Sequence, residues 1–295
     1  MRRALALLVL ALPAAAAAAP PVFPADEAWS YLEAQVAMGP RHPGSPGHAR
    51  CAAWLATRLG EWGYALEEHR FRVPDPYAPV DTLRLVNFRA RLPGAAGPIL
   101  ALAAHWDTQP WAQRDPDPAR RNEPILGAND GASGVAVLLA VARLCAASPP
   151  PRRVEFLFFD GEDYGRMGHR EGYLLGSRRF VRDHPGYRPE LLVLLDMVGG
   201  RDLRLPMEQN SLRGARPQLT ALYDLAADLG LSAFEARPGH DVYDDHVPFL
   251  EAGIPAVNLV DLDYPQWDTT ADLPAACSPA SLAQVGTLLL HYLYE

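Results

Sequence analysis

The sequence predicts an α/β fold in which helices cover both faces of a largely parallel sheet. Three observations carry this. Residues 99–104, 154–159, 191–195 and 254–260 are short, mainly apolar runs, as expected of strands buried on both faces. Helical patterns stand between them, and alternating strands and helices build layered α/β domains. The chain has 295 residues, 49% of them hydrophobic, enough for one sizeable core.

In order, residues 25–38 place Trp29, Leu32 and Val36 on one helical face. A Gly/Pro/His-rich turn at 39–46 leads to a helix over 47–62, with Ala53, Leu55 and Leu59 inward. Residues 64–73 and 82–91 read as strands. The strand at 99–104 ends at His105-Trp106-Asp107. Residues 108–128 are irregular and rich in Pro, Asp and Arg, and so long a loop in a compact domain is usually functional or disordered. Residues 131–147 form a helix with Val135, Leu138, Leu139 and Ala142 apolar, and Asp130 suits its N-cap. The strand at 154–159 ends at Asp160-Gly161-Glu162-Asp163, and a Gly-rich loop runs to Gly172. A helix at 174–183 precedes the strand at 191–195, which ends at Asp196. An edge strand at 203–207, a helix at 218–229 and the strand at 254–260 follow. After a Trp/Pro/Asp loop to Asp272, Ser278 caps a last helix over 279–293. No repeat and no linker is evident, so residues 20–295 read as a single domain.

Composition narrows the function. Acids number 35 and bases 27, a net charge of −8, which argues against nucleic acid or an anionic membrane as partner. Every base is arginine, so lysine Schiff-base and P-loop chemistry are excluded. Arg2 and Arg3 precede an apolar run over 4–19, which reads as a cleaved signal peptide at residues 1–19. The mature chain is expected to be exported, periplasmic or extracellular, without an integral membrane segment, and monomeric. Cys51, Cys145 and Cys277 are too few for a disulfide framework, and the first two read as buried thiols.

In open α/β sheets, ligands bind outside the carboxyl ends of the strands. His105, Asp107, Asp130, Glu162, Asp163, Asp196 and Asp268 stand at or near those ends. One strand-end aspartate is ordinary turn chemistry. Six acids on one edge repel one another and call for a cation, for which a divalent metal is suited.

Five ordered motifs then become recognisable: residues 103–108 (Ala-Ala-His-Trp-Asp-Thr), 127–134 (Gly-Ala-Asn-Asp-Gly-Ala-Ser-Gly), 158–163 (Phe-Phe-Asp-Gly-Glu-Asp), 194–197 (Leu-Leu-Asp-Met) and 244–250 (Asp-Asp-His-Val-Pro-Phe-Leu). Together they resemble the zinc-dependent aminopeptidase and glutaminyl-peptide cyclotransferase superfamily, from about Trp29 to the C-terminus. The resemblance implies a three-layer α/β/α sandwich with a mixed, mostly parallel twisted sheet and zinc at its C-terminal edge. In the aminopeptidase branch two zincs are implied, one at His105 and Asp196, the other at Asp163 and Asp268, with Asp130 bridging. In the cyclase branch one zinc is implied, at Asp130, Asp163 and Asp268. Glu162 matches the general base of both.

Three features favour the cyclase: the run Glu162-Asp163-Tyr164-Gly165, Trp267 immediately before the last ligand position, and the run Asp244-Asp245-His246 with Pro248-Phe249-Leu250. The expected reaction converts an N-terminal glutamine to pyroglutamate with release of ammonia. The metal would serve as Lewis acid and Glu162 as general acid/base. Asp196 and Asp245 would assist, and Trp267, Asp244 and Trp111 would meet the peptide, although Trp111 also reads as a loop anchor. The second reading is a metallo-aminopeptidase, and the third a non-catalytic binding module on this scaffold. One departure matters: the family normally has histidine where this chain has Asp268. The ligand set would be all oxygen, which zinc accepts but which also suits harder ions. Recruitment of His240 or His246 is the alternative, and a degraded site is the third.

Overall fold

A computed structural model describes residues 19–295 except Pro79 and Ala95. The signal peptide expected at 1–19 therefore lies, Ala19 apart, outside the described residues. Among the described residues no helix is long and apolar enough to cross a membrane.

Helices α1 (Ala25–Ala37) and α2 (Pro46–Glu61) lead into strands β1 (Ala65–Pro74), β2 (Thr82–Arg91) and β3 (Ile99–His105). Then come α3 (Ala132–Ala147), β4 (Arg153–Phe159), α4 (Leu175–Asp183), β5 (Leu191–Asp196) and β6 (Leu205–Met207). The chain continues through α5 (Gln209–Gly214), α6 (Arg216–Asp228), β7 (Phe234–Pro238), α7 (Val247–Glu251), β8 (Ala256–Val260) and α8 (Pro279–Tyr294). The expected Ser278 cap forms, and Ser45, which also precedes a proline, caps a second helix, a role the sequence pattern did not assign to it. Ser45 accepts from His48 N at 3.0 Å to open α2, and Ser278 accepts from Ala280 N at 3.2 Å to open α8.

Six strands pair in the order β1-β2-β4-β3-β5-β8. The β3/β4, β3/β5 and β5/β8 pairs are parallel, whereas β1/β2 and β2/β4 are antiparallel. The four parallel strands thus end at one edge. Alternate side chains serve opposite faces. Leu102, Ala104, Phe156, Phe158, Val193 and Leu195 join the core built with α1, α3 and α8. Ala101, Ala103, Leu157, Phe159, Leu192 and Leu194 pack with Phe180 of α4 and Phe249 of α7. This is the expected three-layer sandwich.

Two expectations need correction. The strand predicted at 203–207 is not an edge of the main sheet: β6 pairs in parallel with β7, a strand the sequence pattern did not reveal, in a separate two-stranded sheet. Asp130 is not the N-cap of α3 either. Gly131 holds that place with φ +89° and no side-chain cap. A Cβ there would lie 2.5 Å from Asp107 O, so the turn needs glycine on both counts. Asp130 is left free to point elsewhere.

Helix α3 lies close to the sheet at Gly134, where a Cβ would stand 2.4 Å from Leu195 O and 3.1 Å from Ala104 Cβ. Gly134→Ala is expected to cost about 1–3 kcal/mol, because the helix must move off the sheet. Gly60, exposed in α2 with nothing within 4 Å of its would-be Cβ, is the matched control. Gly60→Ala is expected to add about 0.5–1 kcal/mol. Urea midpoints check both, and an unchanged midpoint for Gly134→Ala would contradict the close approach.

Candidate metal and active site

The parallel strand ends deliver the site. His105 closes β3, Glu162 and Asp163 leave β4 through a turn at Gly161, and Asp196 closes β5. Asp130 stands just before α3, and Asp268 lies in the loop after β8. Asp107 does not join them as a charge facing a cation. Its carboxylate accepts from Glu162 N at 3.1 Å and Asp163 N at 3.2 Å, so β3 sets the position of the β4 exit. Asp272 plays the corresponding part for Asp130. It accepts from Asn129 N at 2.9 Å and Asp130 N at 3.0 Å. Beneath both loops Arg41, wholly buried, donates to the carbonyls of Trp106, Leu126 and Gly127 at 2.8–3.1 Å.

Two triads with metal-ligating spacing result: His105/Asp130/Asp196 and Asp130/Asp163/Asp268, each with ligand atoms within 4.8 Å of one another. Asp130 is common to both. His105 Nε2 lies 3.1 Å from Asp130 Oδ1 and 3.2 Å from Asp196 Oδ1. Its Nδ1 is 3.6 Å from Asp107, too far for a hydrogen bond. In the second triad Asp163 Oδ1 accepts from Gln109 Nε2 at 2.9 Å. Asp163 Oδ2 and Asp268 Oδ1 are buried and unpartnered among the described residues. A buried carboxylate oxygen without a donor is costly. Both belong to the same triad, so the residues fit a bound cation. Asp268 adopts φ +56°, a left-handed conformation that directs its carboxyl into the cluster at a cost a functional site tolerates.

The electrostatics agree. Burial, then repulsion from Asp244, Asp245 and Asp196, hold the Glu162 carboxyl well above the usual carboxylate range. Asp163 is raised likewise by burial and by Asp130, Asp268 and Glu162. Asp196 is pushed up to about 7 by burial and Asp244, and Asp268 to about 8 by burial and Asp130. Burial opposes a charged His105, but Asp107, Asp130 and Asp196 outweigh it and raise its pKa well above the ordinary value. Burial and the crowding of like charges together raise the carboxyls, and a divalent cation relieves the crowding.

Beside the triads, Asp244 accepts from Asn258 Nδ2 at 2.6 Å, and Asp245 is held by the Ser177 hydroxyl. Their loop is pinned by Glu208, which accepts from Val242 N at 3.0 Å, Ser211 N at 2.6 Å and His246 Nε2 at 3.1 Å. His246 therefore does not serve as a replacement ligand. His240, paired with Asp263 at 2.9 Å, does not either. Trp267 is half-buried beneath the Arg114 guanidinium, 4.4 Å from its ring centre. Trp111 packs edge-on against Tyr77 at 5.2 Å and beside Tyr164 at 5.6 Å, which is the anchoring arrangement. The three cysteines are buried free thiols.

Sequence reading placed every member of both triads at this edge. It did not single out Arg41, Gln109, Ser177, Glu208 or Asp272. Each acts through a partner distant in sequence, and no local pattern marks such a pair.

The fold and site define a class: an α/β/α enzyme scaffold with a carboxylate-rich, metal-competent centre at the sheet edge. The pattern of peptidase family M28 matches residues 87–293, and the chain belongs to that family. A glutaminyl-peptide cyclotransferase of Gloydius blomhoffii is 28% identical over 268 residues, 79% of this chain and 71% of that one. The crystal structure of Porphyromonas gingivalis glutaminyl cyclase is 33% identical, with a TM-score of 0.88, covering 92% of this chain and 98% of that one. A Zn-dependent exopeptidase of Parabacteroides distasonis is 30% identical, with a TM-score of 0.89, covering 94% and 100%.

If Asp268 is a ligand, zinc affinity in Asp268→Ala should fall by more than about tenfold, whereas Asp268→His should hold zinc at least as well as the native chain. Metal analysis after dialysis checks both, and undiminished zinc in Asp268→Ala would remove the assignment. A pH prediction attaches to Glu208. Burial raises its pKa, but His246 and the backbone donors outweigh burial and hold it at about 2, below the ordinary 4.5. A depressed carboxyl stabilises the fold above its unfolded pKa and loses that effect as pH falls through the folded one. Glu208→Gln should therefore cost about 2 kcal/mol at neutral pH. The difference from the native chain should shrink between pH 4.5 and about 2. Urea unfolding across that range measures it.

Proposed function

We propose that this chain is a glutaminyl-peptide cyclotransferase, which converts the N-terminal glutamine of a peptide to pyroglutamate and releases ammonia. The observation that carries the reading is Glu162. It is a buried carboxyl of raised proton affinity, adjacent in sequence to Asp163 of a metal-competent triad. The relatives named glutaminyl-peptide cyclotransferase and glutaminyl cyclase support it.

The residues divide the work as follows. Asp130, Asp163 and Asp268 would hold one zinc, which when bound supplies a Lewis acid for the side-chain amide carbonyl. Glu162 accepts a proton from the α-amine as its nitrogen bonds to the amide carbon. It returns the proton to the amide nitrogen as that C–N bond breaks and ammonia leaves. One proton moves, and no water is consumed. With the cluster's charge partly offset by a cation held at Asp130, Asp163 and Asp268, Glu162 would be ionised at the start, and the acids around it keep its proton affinity high enough to serve. Asp196, partly buried between His105 and Asp244, orients the reacting nitrogen, and Asp245, fixed by Ser177, holds that corner. Trp267 forms a wall that limits water. The substrates are peptide or protein N-termini, met by a monomer exported through the segment at 1–19.

A second reading has its own observation. The His105/Asp130/Asp196 triad would hold a second metal, as a metallo-aminopeptidase requires, and one similar structure is a Zn-dependent exopeptidase. Incubation with a glutamine-initiated peptide separates the two. A mass loss of one ammonia is expected, with no free amino acid. Release of the N-terminal residue would replace the cyclase with the peptidase. Glu162→Gln should lower kcat by roughly 10²–10⁴-fold with zinc content unchanged, as measured by ammonia release and metal analysis.

A further inference from the structure

The interior of the site is acidic, but the aromatic rings beside it are capped by arginines. Arg114 lies 4.4 Å from the ring centre of Trp267, the residue before Asp268. Its backbone N donates to Asp268 O at 3.0 Å. Arg166, three residues after Asp163, lies 3.8 Å from the Trp111 ring centre and 5.4 Å from that of Tyr77. Arg170 lies 4.7 Å from the ring centre of Tyr243, which precedes Asp244. The first two loops are knitted together by Gln113, which donates to Gly165 O at 3.2 Å and accepts from Met167 N at 2.9 Å.

None of these three arginines forms a salt bridge among the described residues, although the chain carries a surplus of acids. The nearby acids are otherwise engaged. Asp75 accepts from Tyr164 Oη at 2.9 Å, and Glu171 pairs with His169 at 3.3 Å. Stacking on a ring holds a guanidinium by its face and leaves the N–H fork at its edge available, the geometry that pairs with a carboxylate. The acidic interior accepts hydrogen bonds from an N-terminal amine and repels acids, while the arginine rim attracts them. A peptide with an amine at its end and negative residues next to it matches this gradient in one orientation only.

Resting on the reading that peptide N-termini enter this site, we infer that Arg114 and Arg166 are specificity-determining residues. They select peptides with a carboxylate on one of the two or three residues that follow the N-terminal one. An extended peptide advances about 3.3–3.6 Å per residue, so such positions fall at the rim rather than in the cluster.

The test uses the zinc-loaded full chain and C-terminally amidated peptides that begin Gln-Glu-Glu, Gln-Ala-Ala or Gln-Lys-Lys. The acidic peptide is expected to exceed the basic one at least tenfold in kcat/KM, mainly through KM. The ratio should narrow in 0.5 M NaCl, as screened rim charges require. In the double variant Arg114→Gln/Arg166→Gln it should fall towards one. Comparing Gln-Ala-Ala as free acid and as amide tells whether a peptide's own C-terminal carboxylate serves as well as a side chain. Equal kcat/KM for the acidic and basic peptides would overturn the inference, and so would a ratio unchanged in the double variant. If no peptide yields ammonia, the cyclase reading fails instead. Calorimetric binding of the same peptides then decides the inference by the same acidic-to-basic ratio.

Discussion

The constraint on which the site depends is the cost of holding many carboxylates together. Asp130, Glu162, Asp163, Asp244, Asp245 and Asp268 are buried at one edge of the sheet, with Asp196 partly buried among them. Left to themselves such groups separate, take up protons or unfold the loops that carry them. Besides His105 against Asp130 and Asp196, the structure opposes this with backbone anchoring. Asp107 grips two successive amides of the β4 exit, and Asp272 grips two of the loop before α3. Arg41 fastens the β3 exit to residues 126 and 127 through carbonyls alone. Its charge lies under the cluster without a side-chain carboxylate in hydrogen bond to it, so it steadies the acids and leaves their oxygens available to a cation.

The rigid part of this arrangement is the sheet. Four parallel strands with buried faces end together, so their last residues are fixed by packing that the site chemistry does not touch. Among the described residues three non-glycines take positive φ, and two of them lie at the site; the third, Leu174, opens α4. Met197, directly after Asp196, takes φ +48°, and Asp268 takes φ +56°. Gly131 and Gly161 also take positive φ, without a Cβ to oppose it. Each of these four adjoins or is a site residue, which is where stored strain serves function.

This division explains what the sequence revealed. Buried strands write themselves as apolar runs, and the polar residue that ends a run is visible wherever the run is, so His105, Glu162, Asp163 and Asp196 were legible. Asp130 was legible as a site residue but misassigned as a cap, because the N-cap rule sees a short acid before a helix and not the carbonyl that crowds Gly131. Strand β7 escaped because it is short, polar and paired only with β6. Arg41, Asp272 and Glu208 escaped for another reason. Arg41 reaches 65–86 residues along the chain, and Asp272 reaches 142–143. Pairing over such separations has no period and no spacing.

Asp268 is where these constraints meet. Where the resembling family places a neutral imidazole, this chain places a carboxylate in a cluster already crowded with them. Burial and Asp130 push its pKa up to about 8, and Arg114 is the cation that opposes them. The same arginine is stacked on Trp267 and tied through its backbone to Asp268. A guanidinium held over Trp267 lowers the cost of the added charge without a hydrogen bond to the oxygens that face the cluster. It also alters the rim, because a cation now stands where the aromatic wall would otherwise present its bare face. The exchange of histidine for aspartate and the arginine above the tryptophan thus form one electrostatic arrangement. Inward, it sets the charge of the Asp130/Asp163/Asp268 triad; outward, it sets the charge of the rim.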